Sequence, residues 1–221
     1  GNPNSLQVES AWRDNILGDG VTLAIVDDGV QTRHPDLNVD PVLSKDYNSG
    51  RGTDCSPYTT DGHGTSAAGV CCAIRNNGQC GSGVAPHTRL VGIRLIAEPT
   101  TDLKESQALS YKAHADIDIY SNSWGPMDDA RNLAGPGRLT QMIFKQNAEQ
   151  GRQGKGTIYV WAGGNGREQH DNCNYDGYAN SIYTIAVGAI DHVGYQSWYS
   201  ESGDALFVVA PSSGSGVGIT T

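Results

Sequence analysis

The chain has 221 residues and a net charge of −9 with histidine neutral, enough length for a sizeable core and the wrong sign of charge for nucleic acid or anionic membrane partners. Charged residues at 18% argue against disorder, and no apolar stretch approaches the ~20 residues of a membrane span. The opening GNPNSLQVESAW has neither the charged nor the apolar region of a signal peptide.

In chain order, VTLAIV (21–26) predicts a buried strand that stops at two adjacent carboxylates, Asp27 and Asp28. GTSAAGVCCAI (64–74) predicts a helix of small residues, able to lie close to another element. RLVGIRLI (89–96) predicts a second strand, LKESQALSYKAHA (103–115) a helix, and DIYSNSW (118–124) a strand running into a turn. GRLTQMIFKQNAEQG (137–151) predicts a helix closed by Gly151. TIYVWAG (157–163), IYTIAVGAI (182–190) and ALFVVA (205–210) predict further strands. Apolar strands alternating with helices imply an α/β fold, a mostly parallel twisted sheet with helices on both faces. With no repeat, linker or low-complexity block, residues 1–221 read as one domain. Ligands in such sheets bind at the carboxyl ends of strands, and the polar DDG, SNSWGP and GGNG motifs all follow strands. The cysteines are Cys55, Cys71, Cys72, Cys80 and Cys173. The odd count leaves at least one without a partner inside this chain, no spacing suggests zinc, and the adjacent Cys71 and Cys72 read as buried thiols.

Two neighbouring acids at the edge of a core repel each other and are costly to desolvate, so a cation should lie near. Asp27 ends a strand, His63 precedes the small-residue helix, and Asn165 follows another strand. An Asp that holds a histidine Nδ1–H fixes the tautomer and stabilises the imidazolium formed in proton transfer. An Asn amide aimed at a developing oxyanion is worth ~2.7–4 kcal/mol of barrier. Asp27, His63 and Asn165 thus suit the roles of orienter, general base and oxyanion donor.

The motifs DDGVQTRHPDL, DGHGTSAAG, RNNGQCGSGVAP, SNSWGPMDDARNLAGP, WAGGNGREQHDNCNYDGYANSIYTIAVGAI and WYSES, in this order, resemble the kexin/furin-like branch of the subtilisin-like serine proteases. The resemblance covers most of the chain. It implies a Ca²⁺-dependent endopeptidase, secreted or in the secretory pathway, that cuts basic peptide or protein substrates after Arg or Lys, often paired, and that uses a pro-segment or chaperone. Asp27 becomes the triad acid. Asp28 and Asp61 would read a basic side chain at P2, Asp176 and Asp128 one at P1, and Glu98 one at P4. A buried guanidinium needs a hydrogen-bonded carboxylate, which agrees with the acids at P1 and P2. For Ca²⁺ the resemblance implies one site of Asp128, Asp171 and Glu201. A second would use the Asp36 carboxylate, the Asn77 side chain and the carbonyls of Ile74, Gln79 and Gly81. Oxygen-only donors suit this ion.

The family's nucleophilic serine lies in a GTSxxxP segment, and the only GTS here, Gly64–Ser66, belongs to the histidine motif. The expectation is therefore a catalytic domain cut short before the nucleophile segment, with no second domain in this chain and no peptidase activity of the 221 residues alone. The rival is a non-catalytic fragment that binds basic peptides through an acidic cleft. The family usually pairs the counterpart of Cys173 with a cysteine just after WYSE, where this chain has Gly203; the usual partner of the counterpart of Cys80 lies beyond residue 221.

Overall fold

The computed structural model of the chain describes residues 5–221. It divides into two compact units: the larger holds residues 8–123, 137–158 and 221, the smaller residues 5–7, 124–136 and 159–220.

The larger unit begins with α1 (Val8–Arg13), then β1 (Thr22–Asp27) and the two-residue β2 (Lys45–Asp46). α2 (His63–Cys72), β3 (Arg89–Arg94), α3 (Asp102–Ser110), β4 (Ile119–Asn122) and α4 (Arg138–Gly154) follow. Its strands lie in the order β2-β3-β1-β4 and pair in parallel. β1 therefore stands between β3, reached after α2, and β4, reached after α3. The chain goes from β1 to one side of it and, after β3, crosses to the other side, so β1 and β4 flank a switch in strand order, where sheets of this kind bind ligands beyond the carboxyl ends of the strands. Asp27 is the residue at the carboxyl end of β1.

The small residues of α2 explain its placement. Gly64, Ala68 and Cys72, spaced four apart, are its buried stripe. Ala68 and Cys72 pack into a core of Ile25, Val30, Leu37, Val39, Cys55 and Leu90, and a bulkier stripe would hold the helix away from the sheet. α4 buries Thr140, Phe144, Asn147 and Gly151 at a similar spacing. It closes where GRLTQMIFKQNAEQG implies: from Gly151 to Gln153 the backbone is no longer helical. The Asp102 carboxylate caps α4 from the start of α3, accepting from Leu139 N at 2.9 Å and Thr140 N at 2.9 Å.

The smaller unit carries β5 (Ile158–Ala162), β6 (Thr184–Ile190) and β7 (Leu206–Pro211), paired in parallel as β5-β6-β7. Trp161 stacks on Tyr178 at 4.9 Å between ring centroids, and Trp124 meets both rings edge-on.

The expected strands and helices are all present, with ends moved by a few residues. α1 and β2 were not legible, one being short and the other two residues long. The fold is of the α/β class with parallel strand pairing. No helix among the described residues is long and apolar enough to cross a membrane. All five cysteines are thiols. At Gly203, a Cβ would run into the Cys173 sulfur, so the two positions do face each other.

Candidate active site

β1 presents Asp27 as its last residue, 1% exposed. Its carboxylate faces the imidazole of His63, the first residue of α2, with Nδ1 at 2.8 Å from Oδ1 and 2.9 Å from Oδ2. The His63 side chain is 59% exposed, and its Nε2 makes no hydrogen bond with a described residue. The hydrogen bond to Asp27 raises the His63 pKa against the lowering effect of its own partial burial. Burial raises the Asp27 carboxyl, while His63 and the Asp28 N–H at 2.7 Å pull it back, leaving it above its ordinary value. Both shifts mean that the pair holds a proton more firmly than the separated groups would.

The adjacent acids have two different tasks. Asp28 caps α2, accepting from His63 N at 3.0 Å and Gly64 N at 2.8 Å. These are unpaired donors at a helix start, and a carboxylate there also meets the positive end of the helix dipole. Thr65 Oγ1 adds a bond from Gln31 N at 3.1 Å. Gly64 is required at this junction: a Cβ would lie 2.7 Å from the Asp27 Cβ and 3.1 Å from Asp28 Oδ1. Gly29, at φ +136°, is equally confined, since a Cβ would sit 2.8 Å from the Cys55 carbonyl oxygen. DDG and GHG are thus the two halves of one contact.

Asp61 is half-buried, and its Oδ2 lies 3.5 Å from the Arg94 guanidinium. Arg94 ends β3 beside Asp27 in register, is fully buried, and also approaches Asp46 at 3.5 Å. Its guanidinium lies over the Tyr58 ring at 4.4 Å. Asp46 accepts further bonds from Asn48, Ser49 and Arg51, which hold its carboxyl well below the usual range despite burial. Arg94 was missed in the sequence, although a cation closing the apolar run RLVGIR was the signal for it. Glu98 lies exposed after β3.

In the smaller unit, Asp128, Asp171 and Glu201 offer oxygens within 4.8 Å of one another. They line a small open cleft with Asp176, Asn132, Asn172, Tyr175, Met127 and Pro126. The GGNG loop builds its wall. Asn165 N donates to Asp128 Oδ2 at 2.7 Å and Gly166 N to Glu201 Oε1 at 2.9 Å. At Gly166 a Cβ would meet Asp171 and Asp128 at 2.6 and 2.9 Å, and at Gly164, with φ +91°, it would strike the Glu201 carboxylate. The Asn165 side chain itself is exposed.

Burial, then the neighbouring Asp128 and Asp171 charges, push the Glu201 carboxyl up to about 7. Burial likewise lifts Asp176 to about 6, against bonds from Tyr178 N at 2.6 Å and Ala179 N at 3.3 Å. Carboxylates this crowded take up protons unless a cation neutralises them, and the set fits Ca²⁺ by donor type and spacing.

Around Asp36, buried at 2% exposure, the donors are hydrogen-bonded to one another. Asn77 Nδ2 donates to Asp36 Oδ1 at 2.6 Å, and Asn77 Oδ1 accepts from Gln79 N at 3.0 Å. The Ile74 N–H bonds the Asp36 carbonyl, while Gln79 and Gly81 lie on the exposed loop. One carboxylate with neutral oxygens makes a weaker cation site than the three-acid cluster.

The Subtilase family model of peptidases matches residues 18–220, and the chain belongs to this family, in its kexin/furin-like branch. It is 45% identical to proprotein convertase subtilisin/kexin type 4 of Mus musculus over 95% of this chain and 32% of that protein. To furin of Homo sapiens it is 42% identical over 95% of this chain and 27% of that protein. The chain thus spans between a quarter and a third of the length of these curated relatives. Among solved structures, the Aeromonas sobria serine protease in complex with its chaperone matches with a TM-score of 0.81 at 28% identity, over 95% of this chain and 38% of that one.

Proposed function

We propose that the chain supplies the acid–base pair, oxyanion donor and basic-residue pocket of a Ca²⁺-dependent serine endopeptidase that cleaves after Arg or Lys. The observation that carries this reading is the buried Asp27 carboxylate holding His63 Nδ1, with Nε2 left open to a substrate-side proton. His63 Nε2 takes the proton of a serine hydroxyl as its oxygen attacks the scissile carbonyl. Asp27 keeps the Nδ1–H tautomer and stabilises the imidazolium, which then protonates the leaving amine. Asn165 donates its side-chain amide to the oxyanion. Asp176 and Asp128 take a basic P1 group in the acidic cleft, Asp28 and Asp61 a basic P2 group, and Glu98 a P4 group. Asp28 and Asp61 do so while also tied to α2 and Arg94. The −9 net charge draws basic chains in.

The serine is assigned to a segment other than the described residues. Ser66 lies on α2 behind His63, the Ser212 hydroxyl is bonded to Tyr199 Oη at 2.5 Å, and that of Ser215 to Asp191 at 2.5 Å. The 221 residues alone are accordingly expected to be inactive. Ca²⁺ held by Asp128, Asp171 and Glu201 supplies a counter-charge that fixes the GGNG loop, and the Asp36–Asn77 loop with the Ile74, Gln79 and Gly81 carbonyls is proposed as a second site. The family supports placement in the secretory pathway and one domain over 1–221. A relative's structure with a chaperone supports a chaperone or pro-segment partner.

The test compares fluorogenic peptides with Arg, Lys, Phe or Leu at P1, using the protease that contains this chain, with and without EDTA. Cleavage restricted to Arg and Lys, and lost with EDTA, is expected. Equal cleavage after Phe overturns the specificity, and binding of basic peptides without any cleavage overturns the catalytic role.

A further inference from the structure

Apart from the site above, the chemically unusual feature is a pair of thiols at the far end of the histidine helix. Cys71 and Cys72 are its last two residues, and their sulfur atoms lie 2.9 Å apart. Cys72 is buried at 3% exposure, and Cys71 is half-buried and packs against the same core, so Cys71 is the more exposed residue of the two. The helix stops at this point: Ala73 leaves the helical region at φ −55°, ψ 138°. A neighbouring segment is stitched to the same residues, with Val84 N bonding the Val70 carbonyl at 3.1 Å, Ala85 N that of Cys71 at 2.8 Å and Gly83 N that of Ala73 at 3.0 Å.

We propose that Cys71 and Cys72 form a redox-modification site, a vicinal dithiol on the helix of His63 that a small disulfide such as glutathione disulfide oxidises to a vicinal disulfide. In the first step the Cys71 thiolate attacks one sulfur of the small disulfide. The Cys71–sulfur bond forms, the original S–S bond breaks, and the expelled thiolate takes the proton that Cys71 gave up. In the second step the Cys72 thiolate attacks the Cys71 sulfur and expels the second small thiolate, which takes the Cys72 proton. Two protein thiols are oxidised, and one small disulfide is reduced to two thiols.

The ring this closes is small. Adjacent Cα atoms are about 3.8 Å apart across a trans peptide, whereas disulfides usually span about 4.4–6.8 Å. The product is therefore strained and readily reduced, which is the property of a reversible switch rather than of a structural bridge. The backbone must rearrange at the last turn of α2, and there is little room for it. A Cβ on Gly83 would lie 2.7 Å from the Cys71 carbonyl carbon, so the stitched segment moves too. Oxidation thus loosens the end of the helix whose beginning carries His63.

Glutathione-disulfide treatment of the protein, quenching by alkylation and peptide mapping test the chemistry without reference to peptidase activity. The expected product is one peptide holding both cysteines unalkylated, free of glutathione and lighter by two hydrogens. The treated protein should melt at a lower temperature and recover with a reducing thiol. In Cys72→Ser, Cys71 should instead retain a glutathione adduct. Wild-type protein that keeps glutathione on Cys71, links Cys71 to Cys80, or leaves both thiols unreacted overturns the proposal. Only the consequence for turnover rests on the peptidase reading: oxidation should lower kcat in the wild-type protease and leave Cys71→Ser unaffected. A pair that closes without changing turnover overturns the regulatory role alone.

Discussion

Replacing Glu201 by Gln tests whether the acidic cleft carries an electrostatic cost that a cation removes. Glu201 is 2% exposed, and burial with the charges of Asp128 and Asp171 lifts its carboxyl from 4.5 to about 7. At about 1.4 kcal/mol per pKa unit, ionising this one group inside the folded protein costs roughly 3 kcal/mol. A folded pKa above the unfolded one gives stability that is complete below pH 4.5 and is lost as pH rises through the folded value. Asp176, raised to about 6, acts in the same direction. Without metal, the wild-type protein should therefore lose stability between about pH 5 and pH 8. Gln keeps an oxygen to accept from Gly166 N and never ionises. In EDTA at pH 8, Glu201→Gln should be more stable than wild type by ~1–3 kcal/mol, and near pH 5 the two should be close. With Ca²⁺ at pH 8 the order should reverse, because the variant has lost an anionic oxygen ligand. Urea denaturation read by tryptophan fluorescence measures all of these. A variant less stable than wild type in EDTA at pH 8, or a wild type whose stability does not fall between pH 5 and 8, refutes the reasoning.

Asp27→Asn removes the acid that raises the His63 pKa, so the imidazole should titrate at lower pH by NMR and kcat of the protease should fall by up to ~10⁴-fold; an unchanged titration shows that Asp27 does not control the ring. Asp176→Asn should reduce kcat/KM for Arg and Lys substrates more than tenfold, in line with the ~3–5 kcal/mol lost when a desolvated charge loses its partner. Gly64→Ala should destabilise the protein by at least ~1–3 kcal/mol, because the added methyl falls between α2 and the end of β1; near-neutral denaturation would mean the contact is looser than the 2.7 Å approach. Asp28→Ala should cost about 1 kcal/mol of stability through the lost cap even when no substrate is present.

Much of this protein was readable from local pattern. Apolar runs ending at DDG, SNSWGP and GGNG identify strands with polar tips, and the spacing of Gly64, Ala68 and Cys72 marks the face of a helix that packs closely. Gly151 marked the end of α4. Such features depend on residues a few positions apart, so period and turn chemistry suffice to see them. The pairing of Asp27 with His63 was legible only through the ordered set of motifs, since neither residue alone distinguishes a base from a core histidine.

The amino-acid sequence by itself determined the α/β class, the elements and the types of residue brought to the strand ends. Tertiary structure decided which atom each of them meets. Asp27 and Asp28 look equivalent in the chain, yet at the same helix start one reaches the His63 imidazole and the other the backbone N–H groups of His63 and Gly64. Arg94 reads as the end of a strand and becomes the fully buried counter-charge of Asp46 and Asp61. The thiols of Cys71 and Cys72, neighbours in the chain, stand 2.9 Å apart at the end of α2. A charge or a hydrogen-bond donor is satisfied by whatever the fold brings within about 3 Å, and across separations such as the 36 positions between Asp27 and His63 that choice belongs to the folded chain.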